Sequence, residues 1–293
     1  MPPAPPSDAT HTTGHAGRRA IAGSDLELTF TTRGDVGELE LGGIGPVELV
    51  AAAVGAVDAV RTAHPEVAFH LAADHPVDVL DPLPEALADA AGLPHRRDLL
   101  QLRRQLPVPP DHPSRRGAPP VALRPIDLEG HGRPDLAEDD PDIDRPWDDP
   151  DGWPPDVGAW LRVNNRAFAD HPDQGAETVE TLVERRRGEP DDAGFLVADD
   201  PARPGELSGF CWTKVHPATD EDPELGEIYV IGVDPSHRGE GLGVSFVLGG
   251  LDHLASRGIG TANLYVEADN EPALRLYDRL GFTAHQRRRV YTA

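Results

Sequence analysis

The residues best placed to do chemistry lie in one short run, Arg238-Gly239-Glu240-Gly241-Leu242-Gly243. It sits between a strand-like segment, EIYVIGVDP, and an apolar, helix-like one, LGVSFVLGGL. Three glycines at such a junction let successive backbone N–H groups point into one concavity, and the first turn of the helix adds its partial positive charge. That is an anion cradle of a size suited to a pyrophosphate. A tight turn would use the same glycines, so the run decides little alone. A Walker loop would need Gly-Lys-Ser or Gly-Lys-Thr, which is absent. A dinucleotide fingerprint would need an acid about twenty residues further on within a βαβ unit; the nearest match is Glu267, and the order of elements around it is wrong.

The elements that must hold this loop can be read from periodicity. Before it come the helices VGAWLRVNNRAFAD and AETVETLVERRRG and the strands GFLVAD and ELSGFCWTKVHP; after it come strand ANLYVEA, helix NEPALRLYDRLG and strand AHQRRRVYT. An earlier globular stretch alternates like strands in LELTF and GELELGGI. It continues as helix PVELVAAAVGAVDAVRTAH, strand EVAFHLA, helix PLPEALADAAG and strand DLLQLRRQL. There is a faint internal repeat: PEALADAAGLPHRRDLLQLRR echoes EPALRLYDRLGFTAHQRRRVY as helix, glycine stop and Arg-rich strand.

Composition sets the frame. With 293 residues the chain is long enough for two modest domains, and 30 Gly with 31 Pro predict poorly folded segments. Residues 1–24 read as a flexible tail, 25–107 as a first domain, 108–120 as a Pro-rich linker in which prolines forbid continuous helix or sheet, and 121–293 as a second domain opening with strand VALRPI. Within the latter, residues 127–156 hold twelve acids, two arginines and six prolines and read as an acidic loop, with Trp147 and Trp153 as its anchors. The formal charge of −24 repels nucleic acid and anionic membranes and requires any phosphate site to act locally. The lone Cys211 excludes an intrachain disulfide and offers no metal-site spacing. No apolar stretch is long enough to span a bilayer, and the N-terminus lacks a signal-peptide core, so a cytoplasmic monomer is expected.

The order strand, Arg-x-x-Gly-x-Gly loop, helix, strand, Asp-Asn plus helix, then Tyr…Leu-Gly-Phe resembles the second half of the GNAT acetyltransferase fold, over Val121 to Ala293. LRVNNRAFADHPDQG, GFCWTKVHP, LGEIYVIGVDP and LYVEADNEPALRLYDRLGF together are similar to the mycothiol synthases, a tandem GNAT family. The resemblance implies an α/β fold with a mixed sheet and flanking helices, a catalytic GNAT domain at 121–293, and a truncated, non-catalytic GNAT-like domain before it. It also implies acetyl-CoA as co-substrate, no metal, and acetylation of the cysteinyl amine of desacetylmycothiol, a small thiol pseudodisaccharide.

The same resemblance assigns roles. Glu227 is implied as general base and Tyr277 as the acid that protonates the CoA sulfur. Backbone groups at Ile231, Gly232 and Val233 would meet the thioester carbonyl, with Gly232 easing a strand bulge. The cofactor would be held by Arg238, Gly239, Glu240, Gly241, Leu242, Gly243 and Val244, and by the helix start at Asn270, Glu271, Pro272, Ala273, Leu274 and Arg275. Asp173, Lys214, Glu227 and Tyr265 would line the acceptor site through charge-assisted hydrogen bonds; Asp173 as a helix cap and Lys214 as a surface cation are equally open readings. The chain departs from that family at Asp173, where Glu is usual, at Gly239 and Glu240, which replace more basic or polar residues, and in its short first half. In the internal echo Tyr277 falls near Ala88, which cannot donate a proton. Two other functions stay open: acetylation of a different small amine or peptide N-terminus, and acetyl-CoA binding without turnover.

Overall fold

The computed structural model describes residues 16–33, 36–42, 45–77, 81–128, 154–169, 175–186, 192–220 and 222–292. Most of the acidic 127–156 segment, both of its tryptophans and Asp173 lie outside them. The chain forms two compact units. The first reaches to Leu102 and takes in Val266–Glu271 and Ala284–Ala293; the second comprises Arg103–Tyr265 and Pro272–Thr283. Among the described residues no helix is long and apolar enough to cross a membrane.

In the first unit the strands run in the order β1 (Ala16–Ala20), β2 (Glu27–Arg33), β3 (Val36–Gly42), β4 (Ala68–Pro76), β11 (Thr283–Thr292) and β5 (His95–Gln105). Helices α1 (Val50–Ala63) and α2 (Leu83–Ala90) supply the rest of the core. Strict alternation in β3 sends Leu39 and Leu41 inward, where they meet the α1 stripe Ala53, Ala56, Val57 and Val60. Asp81 accepts the Leu83 amide at 3.1 Å and so starts α2; Gly92 at φ +68° follows the helix.

Two expectations change here. Residues 16–20, read as part of a tail, pair with β2 from Ala16↔Thr31 to Ala20↔Glu27, and Ile21 behind them is buried. The last strand, read as completing the second domain, pairs instead with β4 from Gln286↔Pro76 to Thr292↔His70. Its Arg288 explains that choice: the guanidinium bonds Glu38, Glu40 (2.8 Å) and Asp74 (2.6 Å), acids that the polar face of β3 and β4 presents together.

The second unit orders its strands β10 (Thr261–Glu267), β9 (Leu225–Val233), β8 (Leu207–His216), β7 (Phe195–Asp199) and β6 (Arg124–Pro125). Its helices are α3 (Pro113–Gly117), α4 (Pro155–Ala167), α5 (Val179–Arg186), α6 (Leu242–Ser256) and α7 (Glu271–Arg279), the last beginning just before the unit's own residues. Trp160 of α4 is the centre of an aromatic core. It meets Phe195 and Phe210 edge-on at 5.5 and 5.7 Å, while Phe195 stacks flat on Trp212 at 4.4 Å. The supposed linker contains α3, a single turn that tolerates Pro113 at its first position because no N–H is needed there. The compact units part at Leu102/Arg103, within β5 and ahead of that linker, rather than at the expected 107/108.

Candidate active site

The glycine loop is anchored by ion pairs and by two turn bonds, Arg238 N–H to the Pro235 carbonyl and Glu240 N–H to the His237 carbonyl, both 3.2 Å. Asp234, buried at the end of β9, accepts the Ser236 amide at 2.9 Å and hydroxyl at 2.6 Å, and Arg166 of α4 reaches its other oxygen at 2.9 Å. Arg203 joins Asp200 at 2.6 Å to Asp234 at 3.2 Å. His237 lies 3.0 Å from both Asp200 and Glu240. Against the desolvation that burial imposes, hydrogen bonds from His237, the Ala202 amide and Arg203 hold the Asp200 carboxyl down at about 2. Hydrogen bonds that His237 donates to the Asp200 and Glu240 carboxylates raise it above its ordinary value. The same contacts settle what Glu240 does in this loop: its carboxylate is taken up by the His237 imidazole.

Above this anchor, Gly239 and Gly241 adopt φ +90° and +79°, the left-handed region that disfavours a Cβ. Gly241 caps α6 without any side-chain hydrogen bond, and in the first turn the Val244 amide bonds back to the Gly241 carbonyl at 3.2 Å. A Cβ on Gly243 would lie 3.3 Å from Leu276 Cδ1, a crowded approach. Arg238 is exposed at the loop's start, and Leu242 and Val244 begin the helix. The residues fit an anionic pyrophosphate.

Strand geometry supplies a second feature. β9 pairs with β10 in parallel only at Thr261↔Leu225, Ala262↔Gly226 and Asn263↔Glu227, although both strands continue. Beyond Glu227 the ladder ends, and Ile231, Gly232 and Val233 of β9 have no register partner on β10. On its other side β9 stays paired with β8, but the register shifts between Trp212 and Thr213, which leaves Tyr229 as the extra residue. The bulge expected at Gly232 is therefore at Tyr229. Gly232 remains in register with Phe210, and a Cβ there would strike the Phe210 ring at 2.6 Å. Tyr229 is held out of the ladder by an edge contact with Trp212 at 5.5 Å and by Arg185 at 3.0 Å from its hydroxyl.

Side chains collect where that ladder ends. Glu227 is buried, with one oxygen 2.7 Å from His216 Nε2. Lys214 is its register partner on β8, with the ammonium 5.1 Å above the Tyr229 ring. Asn263, its partner on β10, is 2% exposed, and its Oδ1 has no hydrogen-bond partner among the described residues. Tyr265 lies two residues on and is 40% exposed. Arg185 of α5 ion-pairs with buried Glu177. Tyr277, the buried residue of α7, packs edge-on to Phe282 at 5.7 Å. Burial, with a smaller contribution from Cys211, pushes its phenol above the ordinary value; Cys211 itself, wholly buried as the register partner of Ile231, is pushed up to about 12. Asn270 and Glu271 lead into α7, whose first residues, Pro272 to Arg275, are exposed or half-buried.

The structure thus gathers Glu227 and Lys214 on paired strands with Tyr265 close along β10. Sequence reasoning missed His216, Asn263, Tyr229 and Arg185. His216 had a signal: it stands two residues after Lys214 on one strand, hence on the same face.

The second unit thus combines a glycine loop capping α6 with a strand pair whose ladder ends at a buried carboxylate. Residues 159–282 match the acetyltransferase (GNAT) family. Over those residues the chain is similar to the GNAT acetyltransferases. Among its relatives are proteins named mycothiol acetyltransferase. That of Acidimicrobium ferrooxidans is 44% identical over 236 residues, 80% of this chain and 65% of the relative. That of Thermomonospora curvata is 56% identical over 132 residues, 44% of this chain and 41% of the relative. The chain thus spans less than two thirds of the length of these relatives. Among solved structures, a GCN5-related N-acetyltransferase from Sphaerobacter thermophilus shares the fold with TM-score 0.59 at 17% identity, over 92% of this chain and 80% of that one. A tandem GNAT protein from the clavulanic acid biosynthesis pathway does so with TM-score 0.51 at 17% identity, over 92% and 78%.

Proposed function

We propose that this chain is an acetyl-CoA-dependent N-acetyltransferase that acetylates the cysteinyl amine of desacetylmycothiol. The observation that carries the chemistry is the end of the β9–β10 ladder at Glu227, beside a glycine loop that caps α6. The remaining orphan amides of that loop and of α6 hold the pyrophosphate, and the backbone of Ile231 to Val233, beyond the ladder, meets the thioester carbonyl. Glu227 takes the proton of the attacking amine. Tyr277, kept neutral by burial, donates a hydrogen bond to the departing sulfur. Lys214, Tyr265 and Asp173 position the hydroxyl-rich acceptor. Identity of 41–56% to proteins named mycothiol acetyltransferase supports this choice of acceptor.

The first unit serves as scaffold in this reading. Its α2 carries buried Ala88 where α7 carries Tyr277, and its sequence has no Arg-x-x-Gly-x-Gly loop. Mass spectrometry of the product formed from acetyl-CoA and desacetylmycothiol tests the proposal; release of CoA thiol alone is ambiguous because the acceptor carries its own thiol. Formation of the N-acetylated product supports it. Turnover only with other amines moves the assignment to a different acceptor.

A further inference from the structure

We propose that His216 is the proton exit of Glu227, carrying to solvent the proton that each acetylation releases. The inference rests on Glu227 being the base. An α-amine of ordinary pKa, about 7.7–8.0, arrives mainly as ammonium at neutral pH. In becoming an amide it loses two protons, and the departing thiolate takes up one. One proton must therefore leave the site in every cycle, and Glu227 must be emptied before the next.

Glu227 cannot easily release that proton directly to water, because its side chain is 10% exposed. His216 is bonded to it at 2.7 Å and is itself 41% exposed at the end of β8. Imidazole suits the step: Nε2 accepts the proton from the carboxyl while Nδ1 sheds its own to water, so no charge accumulates and the ring returns by tautomer exchange. Among the described residues, the other charged groups named at this site do not offer the route. Lys214 and Arg185 have no acceptor atom, and Glu177 is held by Arg185 and by the Thr181 hydroxyl at 2.5 Å. His216 acts through Glu227 and touches no reacting atom.

The test compares His216→Ala, His216→Gln and Glu227→Gln with the wild-type protein. His216→Gln keeps an N–H that can hold the carboxylate but cannot relay a proton. Both His216 variants should lose at least about tenfold in kcat, less than the 10²- to 10⁴-fold typical of removing the base itself. KM for acetyl-CoA should stay unchanged, and added imidazole should restore kcat in His216→Ala with saturating dependence on its concentration. Wild-type kcat in either His216 variant, or a loss in His216→Ala that imidazole leaves untouched, overturns the proton exit. If Glu227→Gln also turns over normally, the base assignment itself falls, which separates the two failures.

Discussion

Replacing Gly241 by Ala probes the anion cradle with the least added bulk. The new Cβ would sit 3.8 Å from Pro119 Cδ, an ordinary contact, so the cost is conformational rather than steric. At φ +79° an L-residue is disfavoured by about 1–2 kcal/mol. A loop that relieves this strain when empty must restore it when the pyrophosphate is bound. Affinity for acetyl-CoA should then fall about 5- to 30-fold, at about 1.4 kcal/mol per decade. Gly258 provides the control, because it closes the opposite end of α6 at φ +85° and a Cβ added there would meet nothing within 4 Å. Gly258→Ala carries the same backbone penalty and should leave affinity unchanged. Titration calorimetry reads both, with thermal melts to show that each variant is folded. A folded Gly241→Ala that binds as the wild type does, or a Gly258→Ala that loses as much, refutes the cradle.

Tyr277→Phe should lower kcat by about 10- to 100-fold with acetyl-CoA affinity intact, a smaller effect than loss of the base, because a thiol of pKa about 8.5 leaves readily and burial raises the phenol still further from it; unchanged kcat would remove the tyrosine from the chemistry. His237, raised by Asp200 and Glu240, stabilises the loop fully below its ordinary value of 6.5 and loses that contribution as pH rises through the raised value. Melting temperature should therefore fall over that interval in the wild type and be flatter in His237→Gln. Asp200, held at about 2, contributes above its ordinary 3.8 and loses that contribution as pH falls through 2. Acid titrations of Asp200→Asn should show a shallower limb between those values, and an identical limb would disprove the anchor.

The glycine loop, its flanking strand and helix, and the elements that carry Glu227 and Tyr277 were legible because each rests on local pattern: alternation, a helical stripe, and glycines at a strand-to-helix junction. What escaped the sequence depends on contacts between distant residues. Arg288 selects β4 through Glu38, Glu40 and Asp74, more than two hundred positions away in each case. Nothing in the tail's composition announces that Ala16–Ala20 finds a partner in β2. The bulge moved from Gly232 to Tyr229 because Trp212 and Arg185 hold the tyrosine, whereas the glycine is needed for close approach of Phe210. The anchor formed by Asp200, Arg203, Asp234 and His237 likewise appears only once β7, β8 and the loop after β9 are brought together.

The central claim is that Glu227, at the point where the β9–β10 ladder ends, removes the proton of the acceptor amine. Glu227→Gln keeps the shape of the side chain, so acetyl-CoA affinity by calorimetry should match the wild type while kcat with desacetylmycothiol drops by about 10²- to 10⁴-fold. The deficit should narrow toward high pH, where the amine arrives already deprotonated. A folded, cofactor-binding Glu227→Gln protein with wild-type kcat across that pH range would contradict the account.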